Sequence, residues 1–303
     1  MKQKFIEVCG RGLASLIRRT PAAHPARKTL IRAWEDRYAW RTTMISATTK
    51  FGFRMDLRPV DAVQGRILTT GRWEPNITQI VREALKPGDV FIDIGANVGY
   101  YTILASSIIS ASGKVYAIEA SPSVFSHLEH NLRLNKAENI VAINGAVTDR
   151  AGPCSIFLAG AANLGHSTIV SSLAEAEGHR HEASVRGDIL QGFVPLADLL
   201  RARLVKIDIE GAERLAIEGF KDHLAGMSER AEFLVELSPE FMLNGEKDVD
   251  WIFQTFISAG FRCYQIDNQY GGVDSGGEIQ VELKACSVPP AGRLNDVLFS
   301  RLR

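Results

Sequence analysis

Along residues 90–119 the spacing of apolar positions switches from strand-like to helical and back. Val90-Phe-Ile-Asp-Ile is a short apolar run of the kind shown by a parallel strand buried on both faces. Gly95, Asn97 and Gly99 punctuate a turn, after which Val98, Ile103, Leu104, Ile108 and Ile109 recur at helical spacing. Lys114–Glu119 reads as a second strand, so the order is strand, glycine turn, helix, strand. That order is the first unit of a nucleotide-binding α/β sheet.

The rhythm continues with a helix over 122–134, with Val124, Phe125, Leu128, Leu132 and Leu134 inward, and strands over 140–144, 204–208 and 232–237. A helix over 249–259 follows. Two late strands, 261–266 and 296–300, are expected to form an antiparallel pair at the sheet edge. Upstream, the pattern predicts helices over 3–18 and 28–44 with Pro21 and Pro25 in the linker between them, then extended chain over 48–58. Gly71-Arg-Trp-Glu-Pro75 is a turn-and-cap signal before a helix over 77–85. Residues 151–194, rich in Gly, Ala, Ser and His, interrupt the alternation with short β-like pieces at 155–158 and 184–189. The reading is therefore a helical arm over 1–47 and one α/β domain over 48–303, with 151–194 inserted at the carboxyl side of the sheet. That is the side on which such sheets build substrate pockets.

Charge changes the picture at one end only. The chain of 303 residues has zero formal net charge, yet residues 1–50 hold eleven Lys and Arg against Glu7, Glu35 and Asp36. A basic arm of this kind can touch membrane phosphates or acidic partners, or simply present a solvated helical face. The remainder offers no basic groove, so nucleic acid is not expected as a substrate. Cys9, Cys154, Cys263 and Cys286 lack zinc or disulfide-framework spacing, and a reducing cytoplasm is the default compartment. His179-x-His181 has no Cys, Asp or Glu at telling spacing, so no metal is expected. No apolar run reaches the roughly 18 residues of a membrane span, and no signal peptide is evident. Oligomeric state is not legible.

The chemistry lies at the strand tips. Asp93-x-Gly95-x-Asn97-x-Gly99 differs from the Gly-x-Gly-x-x-Gly of dinucleotide folds, where bare amides must meet a pyrophosphate. An acid at the strand tip suits instead a ligand with a positive centre and no phosphate, such as S-adenosylmethionine. A hydride-transferring dehydrogenase is disfavoured for the same reason. Glu119, 26 residues beyond Asp93, stands where an acid accepts hydrogen bonds from ribose hydroxyls. Lys206, Asp208 and Glu210 cluster at the fourth strand's tip and Glu236 near the fifth's. Carboxylates so placed either serve a ligand or, for Asp208 and Glu210, cap the following helix.

Taken together, Asp93-Ile-Gly-Ala-Asn-Val-Gly99 followed by Tyr-Tyr-Thr102, Glu119, Val205-Lys-Ile-Asp-Ile-Glu-Gly-Ala-Glu213 and Val235-Glu236 resemble the FkbM-type S-adenosylmethionine-dependent methyltransferases. Gly71-Arg-Trp-Glu-Pro75 is also similar to the family's opening turn. The similarity spans about residues 50–302, only loosely over the insertion, and leaves the arm outside. It implies a class I, Rossmann-like methyltransferase fold: a mostly parallel seven-stranded sheet with one antiparallel hairpin. It further implies O-methylation of a sugar, glycolipid or natural product, with a small-molecule or carbohydrate acceptor. By the same resemblance Asp93, Gly95, Asn97, Gly99 and Thr102 surround the methionine end of the cofactor, and Glu119 holds the ribose. Asn144 and Ala146 lie near the adenine, Trp73 and Glu74 close over the cofactor, and Asp208, Glu210 and Glu236 face the reacting methyl or the acceptor. Asp208, Glu236 and His166, in that order, are the candidate bases. A non-catalytic scaffold of the same fold is the alternative.

Overall fold

The computed structural model describes residues 2–20, 24–160, 162–267, 280–289 and 295–303. Helices α1 (Lys2–Arg19) and α2 (Ala26–Tyr38) lead into a hairpin of β1 (Ile45–Thr48) and β2 (Arg54–Leu57), followed by α3 (Ala62–Thr70) and α4 (Pro75–Ala84). Next come β3 (Val90–Ile94), α5 (Tyr100–Ile109), β4 (Lys114–Glu119), α6 (Pro122–Asn135) and β5 (Ile140–Asn144). The insertion holds β6 (Ala146–Val147), β7 (Gly152–Leu158), α7 (Ser171–Glu177) and β8 (Arg180–Asp188). The chain then runs through α8 (Leu196–Leu200), β9 (Leu204–Ile207), α9 (Glu213–Glu218), β10 (Glu232–Leu237) and α10 (Glu246–Ser258). It closes with β11 (Arg262–Ile266), β12 (Leu283–Cys286) and β13 (Asn295–Ser300).

The main sheet has the order β12-β11-β13-β10-β9-β3-β4-β5. Strands β5, β4, β3, β9 and β10 are parallel, and β13 lies antiparallel between β10 and β11. This is the expected seven-stranded arrangement, lengthened at its edge by β12. Its central strands β3, β4, β9 and β10 are buried on both faces because both faces are covered. Phe91, Val115, Leu204, Leu234 and Leu298 join one buried cluster with α3, α4 and α5. Their alternate neighbours Ile92, Tyr116, Val205, Val235 and Phe299 face α9 and α10 in another.

Ala14 and Ile17 of α1 and Trp34 and Tyr38 of α2 are buried in the first cluster, so the arm shares its core with the sheet's helices. The second helix ends at Tyr38, six residues before its apolar pattern does; Val60 N–H donates to Arg41 C=O, so the chain there is already docked on the loop after β2. Helix α3 was not legible from periodicity, but its ends carry local signals. Asp61 caps it by accepting from Gln64 N–H, and Gly71 ends it at φ 81°.

The insertion folds as a small sheet, β6-β8-β7. It is tied to α3 through Leu164 N–H on Asp61 (2.9 Å) and to the loop after β9 through Thr168 Oγ1 on Glu210 C=O (2.8 Å). It therefore roofs the carboxyl ends of the parallel strands. Among the described residues, no helix is long and apolar enough to cross a membrane.

Candidate active site

Parallel strands that end together deliver their last side chains to one edge, and the turns after them decide which of those groups meet. After β3 the backbone reverses with Gly95 at φ 84°, Asn97 at 48° and Gly99 at 94°, values that glycine and asparagine tolerate best. A Cβ on Gly95 would overlap the Asp208 carbonyl oxygen, so this glycine lets the tips of β3 and β9 touch. A Cβ on Gly99 would lie 2.6 Å from Leu128. The close approach made by Gly99 is therefore to α6.

Glu119 ends β4 and bends back over this turn. Its two carboxylate oxygens accept from Asn97 N–H and Ser121 N–H, both at 2.9 Å. Burial pushes its carboxyl up to about 7, against the pull of those two amides. A carboxylate has about four acceptor positions, so roughly two remain for hydroxyls of a ligand. Asn144, at the end of β5, donates to the Glu119 and Ala120 carbonyls (2.9 and 3.0 Å) and fixes this bend from behind.

The turn opens on a cavity of about 380 Å³, within the usual range for small-ligand sites. One end is an apolar slot of Ile118, Val124, Ala146, Val147 and Ile156 beside Glu119 and Ser121. The other end is acidic, with Glu74, Asp208, Glu210 and Glu236 beside His166 and Phe241. Trp73, Gly95 and Asn97 line the wall between them. Asp93, Thr102, Gly99 and Asn144 are not on the wall. Asp93 is buried behind the turn, where Thr102 Oγ1 donates to it at 2.6 Å and burial raises its carboxyl to about 6.

The acidic end is built on strain and burial. Glu74 and Glu210 are non-glycine residues at φ 32° and 51°, a costly conformation that aims their side chains. Burial, with Asp296 alongside, raises the Glu74 carboxyl to about 8 although Tyr101 donates to it at 2.7 Å. Lys206 is buried and its ammonium sits 2.6 Å from Asp208. Burial first, and the Asp208 charge second, hold the Glu210 and Glu236 carboxyls well above the carboxylate range. His166 Nε2 lies 3.6 Å from a Glu210 oxygen, its ring edge-on to Phe241. Burial lowers the imidazole's affinity for a proton.

The helix-capping explanation for Asp208 and Glu210 does not hold. The turn into α9 is held instead by Glu213, whose carboxylate accepts from Ile209 and Gly211 N–H. Three groups of this region escaped the sequence reading: Tyr101, Ser238 and Asp296. Tyr101 sits in an ordinary apolar helix, Ser238 in a strand-ending turn, and Asp296 on a late strand whose antiparallel pairing alone brings it beside β10. His179 and His181, named as a weak metal pair, belong to no acidic or thiol cluster among the described residues.

S-adenosylmethionine fits this cavity by the chemistry of its walls. A flat base suits the apolar slot, ribose hydroxyls suit Glu119, and a sulfonium suits the acidic end. Comparison with known proteins agrees. Residues 73–156 match the model of the TRM5/TYW2 methyltransferase domain. The ribosomal protein L11 methyltransferase of Bacillus cytotoxicus is 29% identical over 109 residues, 34% of each chain. The hexuronic acid methyltransferase AglP of Haloferax volcanii is 23% identical over 190 residues, 63% of this chain and 73% of that one. The match thus spans about a third of the first relative's length and most of the second's. Methyltransferase FkbM of Methylobacillus flagellatus KT has a TM-score of 0.43 at 13% identity, covering 78% of this chain and 52% of that one. One expectation is overturned. The TRM5/TYW2 model describes enzymes acting on nucleic acid, so a chain that matches it cannot be held apart from such substrates on overall charge. Net charge speaks to the whole surface, whereas a substrate meets one face. The sheet order, the glycine turn and the methyltransferase match together make this a class I methyltransferase fold whose cofactor is S-adenosylmethionine.

Proposed function

We propose that this chain is an FkbM-type O-methyltransferase that methylates a hydroxyl of a sugar, glycolipid or natural product. The observation that carries the reading is His166, an imidazole kept neutral by burial, at the acidic end of the cofactor cavity. S-adenosylmethionine supplies a methyl group made electrophilic by its sulfonium. The chain's own work is to hold the donor and to take the acceptor's proton. Glu119 binds the ribose, Asn144 keeps the Glu119 bend in place, and Ala146 lies against the base. Gly95, Asn97 and Gly99 shape the turn, with Asp93 and Thr102 bracing it from within. Trp73 and Glu74 cover the sulfonium side.

Among the three candidate bases the geometry favours a different order from the sequence. Asp208 has one carboxylate oxygen, Oδ2, on the Lys206 ammonium. Burial, with the Asp208 charge second, makes Glu236 hold its proton more tightly than an ordinary carboxyl. His166 has a ring nitrogen able to accept one, and a base of this kind contributes about 10²–10⁴-fold. Positioning the hydroxyl on the sulfur–methyl axis contributes the rest.

The relative named for a hexuronic acid substrate supports a sugar acceptor. A second reading, a nucleic-acid acceptor, is favoured by the TRM5/TYW2 match. Incubation with methyl-labelled cofactor against separate pools of sugars and glycolipids, RNA and ribosomal protein distinguishes them. Label recovered as an alkali-stable methyl ether on a sugar supports the proposal. Label on an RNA base establishes the second reading, and label in no pool returns the chain to a scaffold role.

A further inference from the structure

We propose that Asp208, Glu210 and Glu236 form a site for a divalent cation of the Mg²⁺ or Mn²⁺ type at the acceptor end of the cavity. Each of the three offers a carboxylate oxygen within 4.8 Å of the other two. Carboxylates that close repel one another strongly in a buried site. The Lys206 ammonium sits on Asp208. The nearest cation-forming group to Glu210 among the described residues is the His166 ring at 3.6 Å.

Two further observations point to a ligand. Glu210 is 9% exposed, and its Oε2 has no hydrogen-bond partner. Ser238, 3% exposed and on the wall of the same cavity, has an equally unpartnered hydroxyl. Buried polar atoms without partners are rare, and such a group is explained when a ligand or ion completes it. The donors are carboxylate and hydroxyl oxygens, the set that hard divalent cations select over zinc or copper. The second acidic trio, Glu74, Glu236 and Asp296, shares Glu236 but lies toward β13, away from His166.

A cation held by Asp208, Glu210 and Glu236 lies beside His166, where it can orient an acceptor's hydroxyl and favour loss of its proton. That placement beside the acceptor rests on the methyl-transfer reading; the binding itself does not.

The test is a titration of the chelator-treated full chain with Mn²⁺, following the loss of the free-ion electron paramagnetic resonance signal, with Mg²⁺ as competitor. It uses neither cofactor nor acceptor, so failure of the proposed activity would leave its result intact. One site is expected, displaced by Mg²⁺. Glu210→Gln and Glu236→Gln should each weaken it about tenfold or more, and Glu229→Gln, an exposed carboxylate elsewhere, should not. The Glu210→Gln chain should melt no lower than the native one without metal, yet lose the upward shift that Mn²⁺ produces. Absence of binding at millimolar Mn²⁺, or equal binding by all three variants, overturns the proposal.

Discussion

Glu119 and Glu210 stand at two tips of the parallel sheet, the first closing β4 and the second three residues beyond β9, and they are treated in opposite ways. The β4 tip satisfies its acid internally: two backbone amides take one oxygen each, and Asn144 pins the bend. The β9 tip leaves its acid open, on a residue at φ 51° with one oxygen unpartnered. Preorganised amides cost nothing at the moment of binding, so the β4 side is ready for its ligand before any ligand arrives. On the proposed reading the β9 side is completed by what is brought in, and that difference suits a methyl transfer in which the cofactor's end is the same in every cycle while the acceptor's end must stay reactive.

The comparison breaks most severely at Gly95, where the two tips meet. Gly95→Ala places a methyl group on the Asp208 carbonyl at a left-handed φ of 84°. We expect a loss of about 4 kcal/mol or more, visible in urea unfolding or as failure to accumulate folded chain. A variant within about 1 kcal/mol of the parent would show that the tips are not in contact. His166→Ala acts on the acceptor side alone. Turnover should fall about 10²–10⁴-fold while cofactor affinity stays unchanged. In the parent, activity should rise with pH and level off below the usual histidine value of 6.5, because burial lowers the ring's affinity for protons. If turnover survives the substitution, Glu236 or Asp208 becomes the base. Glu119→Ala acts on the other side, removing charged hydrogen bonds worth about 1.5–3 kcal/mol, or roughly 10- to 100-fold in cofactor affinity by calorimetry. Unaltered affinity would place the ribose elsewhere.

Much of the β3–β4 side was legible because its signals are local. An apolar run, a left-handed turn and an acid at fixed distance lie within thirty residues, and each follows from short-range sterics. The late strands at 262–266 and 295–300 and their antiparallel pairing were also readable from alternation. What escaped depends on contacts between distant segments. That Asp93 would turn inward to Thr102 rather than face the cavity follows from the packing of α5 on β3, which no spacing encodes. The proposed reordering of the candidate bases rests on burial at Glu236 and His166 and on the Lys206 contact of Asp208, none of which residue type reveals. Asp296 joined the acidic end only through its register opposite Glu236, and Glu213 took over the capping role expected of Asp208 or Glu210. Helices α3, α7 and α8 are too short for a clear period, and α3 was marked only by its caps.

The smallest expected effect is a pH dependence that tests the two sides at once. Glu119 at the β4 tip and Glu213 beside the β9 tip both have carboxyls raised by burial from 4.5 to about 7. Between those values the folded chain holds protons that the unfolded chain has released. Their contribution is therefore fully present below about pH 4.5 and is lost as pH rises through about 7. Glu74, raised to about 8, extends the same trend upward. The ligand-free chain should thus melt at progressively lower temperature from pH 5 to pH 8, by an amount equivalent to on the order of 1 kcal/mol or more. Glu119→Gln and Glu213→Gln should each flatten the slope, since an amide has no proton to lose. Saturating cofactor should flatten it only in chains that retain Glu119, because ribose hydroxyls bound there favour the ionised carboxylate. A slope that flattens equally with cofactor in the Glu119→Gln chain would mean that the cofactor draws its charge compensation from the β9 side instead.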